Sequence, residues 1–298
     1  MKKVIFIVGA PRSGTTWLQI MLAKHPDIAT CQERHLFSSY LAPMRKAWIN
    51  HRNNNRGIGL QAAISYDQFV QYQRLFASSV ISSKSTKSIF VEKTPAHVRH
   101  IEHIIEVFPN AHFIHIVRDP RAVVNSLQAA NRSWGTSWAG KGVVENAELW
   151  LNDVNFASIS AKQHQEIFYE VSYEQLLEKT DFELYNLFKW IDVIAENEMC
   201  KKIADDAKID NLKNRNTSLP WSATKEPEGF FRSGKQDTWR KELSSDKIAI
   251  IENICRYKMI EYDYQISPHK TIYLKKYLSR MRRGIGWRVK RLGEQLYG

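Results

Sequence analysis

An α/β fold, with a parallel sheet of about five strands and helices on both faces, is what this sequence predicts. Three observations carry that expectation. Short apolar runs alternate along the chain with segments of helical period, the pattern of a parallel sheet whose strands are joined by crossover helices. The first run, residues 4–8, feeds straight into a glycine-bounded loop and a helix start, Gly9-Ala10-Pro11-Arg12-Ser13-Gly14-Thr15-Thr16-Trp17. The chain has 298 residues, 43% hydrophobic and 25% charged, which is ample for a sizeable core and ordinary for a soluble globular protein.

In chain order, residues 4–8, 28–31, 89–91, 113–117 and 167–171 read as strands, each a short and mainly apolar run. Residues 34–87 form the longest insertion, polar and aromatic by turns, with Asn-rich 51–57 as a loop; a substrate lid is expected there. Residues 97–108, apolar at Val98, Ile101, Ile104, Ile105 and Phe108, make a crossover helix, and another starts with Pro120 in its first turn. After the fifth strand the pattern is helical to about Ala207, and 211–235 then lacks a period. A last helix takes Ser244 or Ser245 as N-cap and sets Ile248, Ile251, Cys255 and Met259 on one face.

The net charge of +12 is unevenly spread. Residues 270–298 hold nine Lys/Arg against Glu294 alone, a balance of +8 that leaves +4 over the first 269. That division argues against broad nucleic-acid contact. It separates a domain at 1–269 from a basic tail in which Leu274, Leu278, Met281, Ile285, Val289, Leu292 and Leu296 recur at helical steps. An amphipathic basic helix of this kind packs on its own domain or lies on an anionic membrane surface. Cys31, Cys200 and Cys255 are odd in number and form no CxxC, so neither a disulfide framework nor a zinc site is expected. The opening residues read as a buried strand rather than a signal peptide, and a cytoplasmic location is expected, peripheral at the membrane if the tail binds there.

The loop at residues 9–16 resembles a P-loop without its lysine, making the sheet P-loop-like. A nucleoside-triphosphate loop needs Lys after its second Gly to reach the β- and γ-phosphates, and here that residue is Thr15. What remains is an anion cradle of backbone N–H groups at the positive end of a helix. Residues 4–18 resemble the 5′-phosphosulfate-binding loop of sulfotransferases that use 3′-phosphoadenosine 5′-phosphosulfate (PAPS). The resemblance implies that Pro11, Arg12, Ser13, Gly14, Thr15, Thr16 and Trp17 bind this donor.

Two further segments match the same family. His112-Phe113-Ile114-His115-Ile116-Val117-Arg118-Asp119-Pro120 sets Arg118 at a strand end, with Ser126 eight residues on; the resemblance implies that both contact the donor's 3′-phosphate. A guanidinium suits phosphate through paired charge-assisted hydrogen bonds. Phe230-Phe231-Arg232-Ser233-Gly234-Lys235-Gln236-Asp237-Thr238-Trp239 is similar to the family's Arg-x-Gly-x-x-Gly-x-Trp loop, which implies 3′-phosphate contacts from Arg232, Ser233, Gly234 and Lys235. Asp237 stands where the second Gly is expected. Tyr173, just after the fifth strand, resembles the tyrosine beside the adenine. The match runs in motif order from residue 4 to about 241.

For the transfer itself, Arg12 and Lys93 are candidates for fixed positive charge. Small-molecule members of the family carry His after a Lys-Thr pair, and here Lys93-Thr94 is followed by Pro95. Glycan-modifying members carry Glu after the second strand together with Glu-Lys-Thr-Pro. This chain reads Glu33-Arg34-His35-Leu36-Phe37 and Glu92-Lys93-Thr94-Pro95. Glu33 is therefore the expected general base, with His35 second. The resemblance implies a PAPS donor, no metal, and a hydroxyl-bearing acceptor, a glycan, glycolipid or other alcohol, with an amine as the lesser option. Two other readings stay open: a P-loop kinase of small molecules or nucleotides, and an anion- or nucleic-acid-binding module acting through the tail.

Overall fold

A computed structural model describes residues 3–53, 59–82, 87–140, 142–215, 217–222, 224–232, 234 and 236–267. The expected tail, most of the expected 51–57 loop, and Ser233 and Lys235 of the third motif lie outside the described residues. Five strands, β1 Lys3–Val8, β2 Ile28–Thr30, β3 Ile89–Lys93, β4 His112–Val117 and β5 Phe168–Ser172, form one sheet in the order β2-β3-β1-β4-β5, every pair parallel. Each lies within two residues of its expected bounds.

The reason is visible in β1. Ile5 and Ile7 enter the core on one face, with α1 (Thr15–Leu22), while Val4, Phe6 and Val8 enter that on the other. A strand covered on both faces has no polar side to alternate with, so it reads as a continuous apolar run. Full burial of each such side chain stabilises the fold by about 1.5–3 kcal/mol.

The insertion before β3 is mostly helical: a π-helical turn at Leu36–Leu41, then α2 (Ala42–Asn53), α3 (Leu60–Ala63) and α4 (Tyr66–Ser82). Trp48 of α2 stacks on Phe69 of α4 with centroids 4.6 Å apart. The crossover helix expected at 97–108 is split into a 3-10 turn, Pro95–His100, and α5, Ile101–Val107. The His97 N–H donates to the Thr94 carbonyl, an i to i+3 bond that tightens the first turn.

Beyond β4, α6 (Pro120–Asn131) and α7 (Val143–Gln163) pack with the last helix, and α8 (Tyr173–Glu178), α9 (Thr180–Trp190), α10 (Asn197–Asp206) and α11 (Ile209–Lys213) follow β5. The chain ends its described part with α12 (Trp239–Glu242) and α13 (Ser245–Glu261); Ser244 is the N-cap of α13, and Ile251, Cys255 and Met259 are buried. Chain order in the sheet reverses around β1, which lies between β3 and β4. Ligands gather at the carboxyl ends of strands at such a switch point.

Candidate active site

The loop after β1 is shaped by steric necessity. Gly14 has φ 104°, and a Cβ there would lie 2.6 Å from the Tyr173 ring. Only glycine lets the loop pass this close and begin α1. Tyr173 is buried against the edge of Trp17, with ring centroids 5.5 Å apart, and the Trp17 indole N–H donates to the Ala207 carbonyl at 2.8 Å. Thr15 and Ser13 are buried, Thr16 half-buried, and Pro11 partly exposed at the loop's crest. The Ser13 hydroxyl is buried without a hydrogen-bond partner among the described residues.

Arg118 follows β4 and crosses toward this loop. Its Nη1 donates to the Arg12 carbonyl at 3.3 Å, its guanidinium lies 4.0 Å over the Tyr173 ring, and its buried Nε is unpartnered among the described residues. Arg12 turns the same way. Its Nε donates to Ser126 Oγ at 3.0 Å and its Nη2 to the Phe230 carbonyl at 2.6 Å. Burial, then the charges of Arg118 and Arg232, lower the Arg12 pKa to about 10. The expected place of Arg12 is beside the transferred group, yet its hydrogen bonds lie on the Ser126 side, and Glu33 acts on it only as a nearby charge.

The third motif closes over the same space. Gly234 has φ 66°, and a Cβ there would meet Ile209 at 2.6 Å; its carbonyl accepts from the Tyr173 hydroxyl at 3.4 Å. Arg232 pairs with Glu242, which also accepts from Asn125 Nδ2 at 2.8 Å. Asp237 is not among the positive-φ residues, so its place makes no demand for glycine, and its carboxylate accepts from Arg240 Nε at 3.1 Å. Trp239 is core, and the guanidiniums of Arg121 and Arg240 lie over its ring at 4.1 Å and 4.5 Å.

One cavity is thus lined by Arg12, Gly14, Thr15, Thr16 and Trp17 together with Arg118, Ser126, Tyr173, Arg232 and Gly234. Four stretches far apart in sequence, 12–17, 118–126, Tyr173 and Arg232 with Gly234, meet there. Sequence reasoning missed Trp134, Ile209 and Glu242. The Arg12 guanidinium sits 5.2 Å over the Trp134 ring, Ile209 lines the cavity, and Glu242 neutralises Arg232. None belongs to a spaced motif, so no local signal announces it.

Glu33 and Lys93 form a separate centre. The Lys93 ammonium, almost fully buried at the end of β3, donates to Glu33 Oε1, and His35 Nε2 lies 3.6 Å from Glu33 Oε2. His35 is exposed and left-handed at φ 50°. The Gln19 amide holds the approach to this turn, donating to Thr30 Oγ1 at 2.6 Å and to the Cys31 carbonyl at 2.7 Å. Beside Glu33 lies a second cavity, about 650 Å³, walled by Ile81, Phe90, Pro220 and Trp221 and edged by Thr30, Arg34 and Ser222.

Residues 4–197 match the model of the Sulfotransferase family. Among curated proteins, the chain is 33% identical over 126 residues to a protein-tyrosine sulfotransferase of Drosophila melanogaster, covering 42% of this chain and 25% of that protein. It is 32% identical over 126 residues to protein-tyrosine sulfotransferase 1 of Homo sapiens, 42% of this chain and 33% of that protein. The match therefore spans only a quarter to a third of the length of these relatives. Among solved structures, a sulfotransferase domain from the curacin biosynthetic pathway aligns with TM-score 0.58 at 18% identity, over 90% of this chain and 99% of that one. Mouse sulfotransferase SULT7A1 complexed with PAP aligns with TM-score 0.57 at 15% identity, over 88% and 86%. Both show the fold.

Proposed function

The chain belongs to the sulfotransferase family, and from that premise we propose that it moves a sulfuryl group from PAPS to a hydroxyl, or secondarily an amine, of an acceptor. The observation that carries this reading is the convergence of Arg12, Arg118 and Arg232 with Ser126 on the cavity that also holds the start of α1. One cavity then offers two anion sites. The loop N–H groups and the positive end of α1 suit a 5′-phosphosulfate, while Arg118, Ser126 and Arg232 suit a 3′-phosphate. The Ser13 hydroxyl and Arg118 Nε, buried without partners among the described residues, fit such a ligand.

PAPS supplies a sulfuryl group on a good leaving oxygen. The chain's residues do the rest by placement and charge, as in phosphoryl transfer. Lys93, bonded to Glu33, provides fixed positive charge near the reacting group, and Arg12 adds its charge from the Ser126 side. Glu33 takes the proton of the acceptor hydroxyl, with His35 as the second candidate.

The acceptor enters the cavity beside Glu33. Its apolar wall of Ile81, Phe90, Pro220 and Trp221 with a polar rim supports a carbohydrate, glycolipid or other alcohol. Similarity to protein-tyrosine sulfotransferases favours a second reading, a tyrosine hydroxyl. We further propose a cytoplasmic protein whose residues 270–298 meet an anionic membrane surface, checked by cosedimentation with phosphatidylserine vesicles.

The test of the activity has two parts. Calorimetry should give far tighter binding of 3′-phosphoadenosine 5′-phosphate (PAP) than of adenosine 5′-phosphate (AMP), and equal affinities would overturn the donor. Incubation with labelled PAPS and separate glycan, lipid, small-metabolite and tyrosine-peptide fractions should label one class.

A further inference from the structure

Beside Lys93 on β3 sits a buried carboxylate that the proposed chemistry does not use. Glu92 is 1% exposed; Oε1 accepts from the Thr94 hydroxyl at 2.7 Å, and Oε2 lies 2.9 Å from His97 Nδ1. His97 is itself fully buried, and its Nε2 accepts the backbone N–H of Phe37 at 3.2 Å. Because Nε2 accepts, the ring proton is on Nδ1 and is donated to Glu92. Burial pushes the Glu92 carboxyl up, but His97, Thr94 and Lys93 outweigh it and hold the group below its ordinary range. The imidazole is clamped edge-on by Phe37 at 5.5 Å and Phe6 at 6.1 Å. It cannot turn without breaking both hydrogen bonds.

Phe37 lies in the π-helical turn that His35 caps. Residues 32–36 therefore run between two backbone anchors, the Cys31 carbonyl on Gln19 and the Phe37 N–H on His97, with the Arg34 side chain donating to the Val80 carbonyl between them. Glu33 is in that span. We propose that His97 is the positioning residue of this loop: it transmits the fixed place of Glu92 on β3 to Phe37, and so sets where the Glu33 carboxylate meets Lys93. Adjacent residues of one strand thus grip the loop twice, Lys93 directly and Glu92 through an imidazole. The inference rests on the reading of Glu33 as the base.

Two substitutions separate this role from plain structural support. In His97→Gln the amide oxygen reaches the Nε2 place and keeps an acceptor for Phe37 while giving up Glu92. His97→Asn does the reverse. His97→Gln takes a donor from the buried Glu92 carboxylate and His97→Asn leaves the neutral Phe37 N–H without its acceptor, so both should lower Tm and His97→Gln should lower it more. With the acceptor fraction that takes label, kcat should fall about 10- to 100-fold in His97→Asn and stay within about threefold of wild type in His97→Gln. The PAPS KM and PAP affinity should hold in both, and deuterium exchange over residues 33–38 should quicken only in His97→Asn. Equal losses of turnover in the two variants, no loss in either, or a parallel loss of PAP affinity would overturn the proposal. If the wild-type protein transfers no sulfate, the proposed function fails, and the exchange contrast alone decides whether His97 holds the loop.

Discussion

Arg12 Nε donates to Ser126 Oγ at 3.0 Å across 114 residues of sequence, so the loop after β1 and the helix after β4 are joined at the centre of the cavity. Arg118 and Arg232 stand close enough to lower the Arg12 pKa together. Like charges gathered in a partly buried cavity are destabilising until an anion joins them; Glu242 already offsets Arg232, and Arg12 and Arg118 are the charges that the proposed donor would neutralise.

Removing Arg118 should therefore weaken one phosphate more than the other. Hydrogen bonds to charged groups are worth about 1.5–3 kcal/mol, so Arg118→Ala should raise the PAP Kd roughly 10- to 100-fold. Its effect on AMP should be far smaller. Calorimetry with both nucleotides measures the ratio, and a parallel loss for both would show that Arg118 acts elsewhere.

Glu33→Gln keeps the size of the side chain and an oxygen for Lys93 while removing the proposed base. Transfer should fall by about 10²- to 10⁴-fold, with PAP affinity within about twofold of wild type because the cavity proposed for PAP is lined by other residues. Single-turnover transfer of label from PAPS is the measurement. Unchanged turnover would take the role away from Glu33.

Gly14→Ala tests the loop geometry. At φ 104°, with a Cβ only 2.6 Å from the Tyr173 ring, alanine must strain the backbone and push Tyr173 aside. The conformational strain is about 1–3 kcal/mol, read as a drop in the urea midpoint. Displacing Tyr173 also moves the surface under Arg118, so PAP affinity should drop in the same variant.

His103 makes the fold acid-sensitive. Burial, then Arg45 and His100, lower its pKa from 6.5 to about 3. The folded state thus resists a proton that the unfolded chain accepts, so the contribution is fully present above pH 6.5 and lost as pH falls toward 3. Between pH 7 and 4.5 this group alone should remove roughly 2–3 kcal/mol. Urea unfolding across that range should show a shallower acid loss in His103→Gln; equal slopes would contradict it.

The strands, the loop at 9–14 and the run of motifs were legible because each depends on neighbours in sequence. Burial on both faces shows as an apolar run, and a strand that turns into a helix through glycine shows as spacing. Asp237 is the instructive exception. The family pattern asks for glycine there, but the backbone at Asp237 is not left-handed, and an aspartate fits.

By itself, then, the sequence determined the parallel α/β class, the glycine-bounded loop with Thr15 in place of a lysine, and the identity of the charged residues Arg12, Glu33, Lys93, Arg118 and Arg232. Tertiary structure alone decided how they are grouped. Arg12 reaches Phe230 across 218 residues, Lys93 reaches Glu33 across 60, and His97 ties Phe37 to Glu92. These pairings follow from the strand order β2-β3-β1-β4-β5, which sets the ends of β1, β3 and β4 side by side. Strand order is fixed by how crossover helices pack against the whole sheet, a non-local balance that no short stretch of residues encodes.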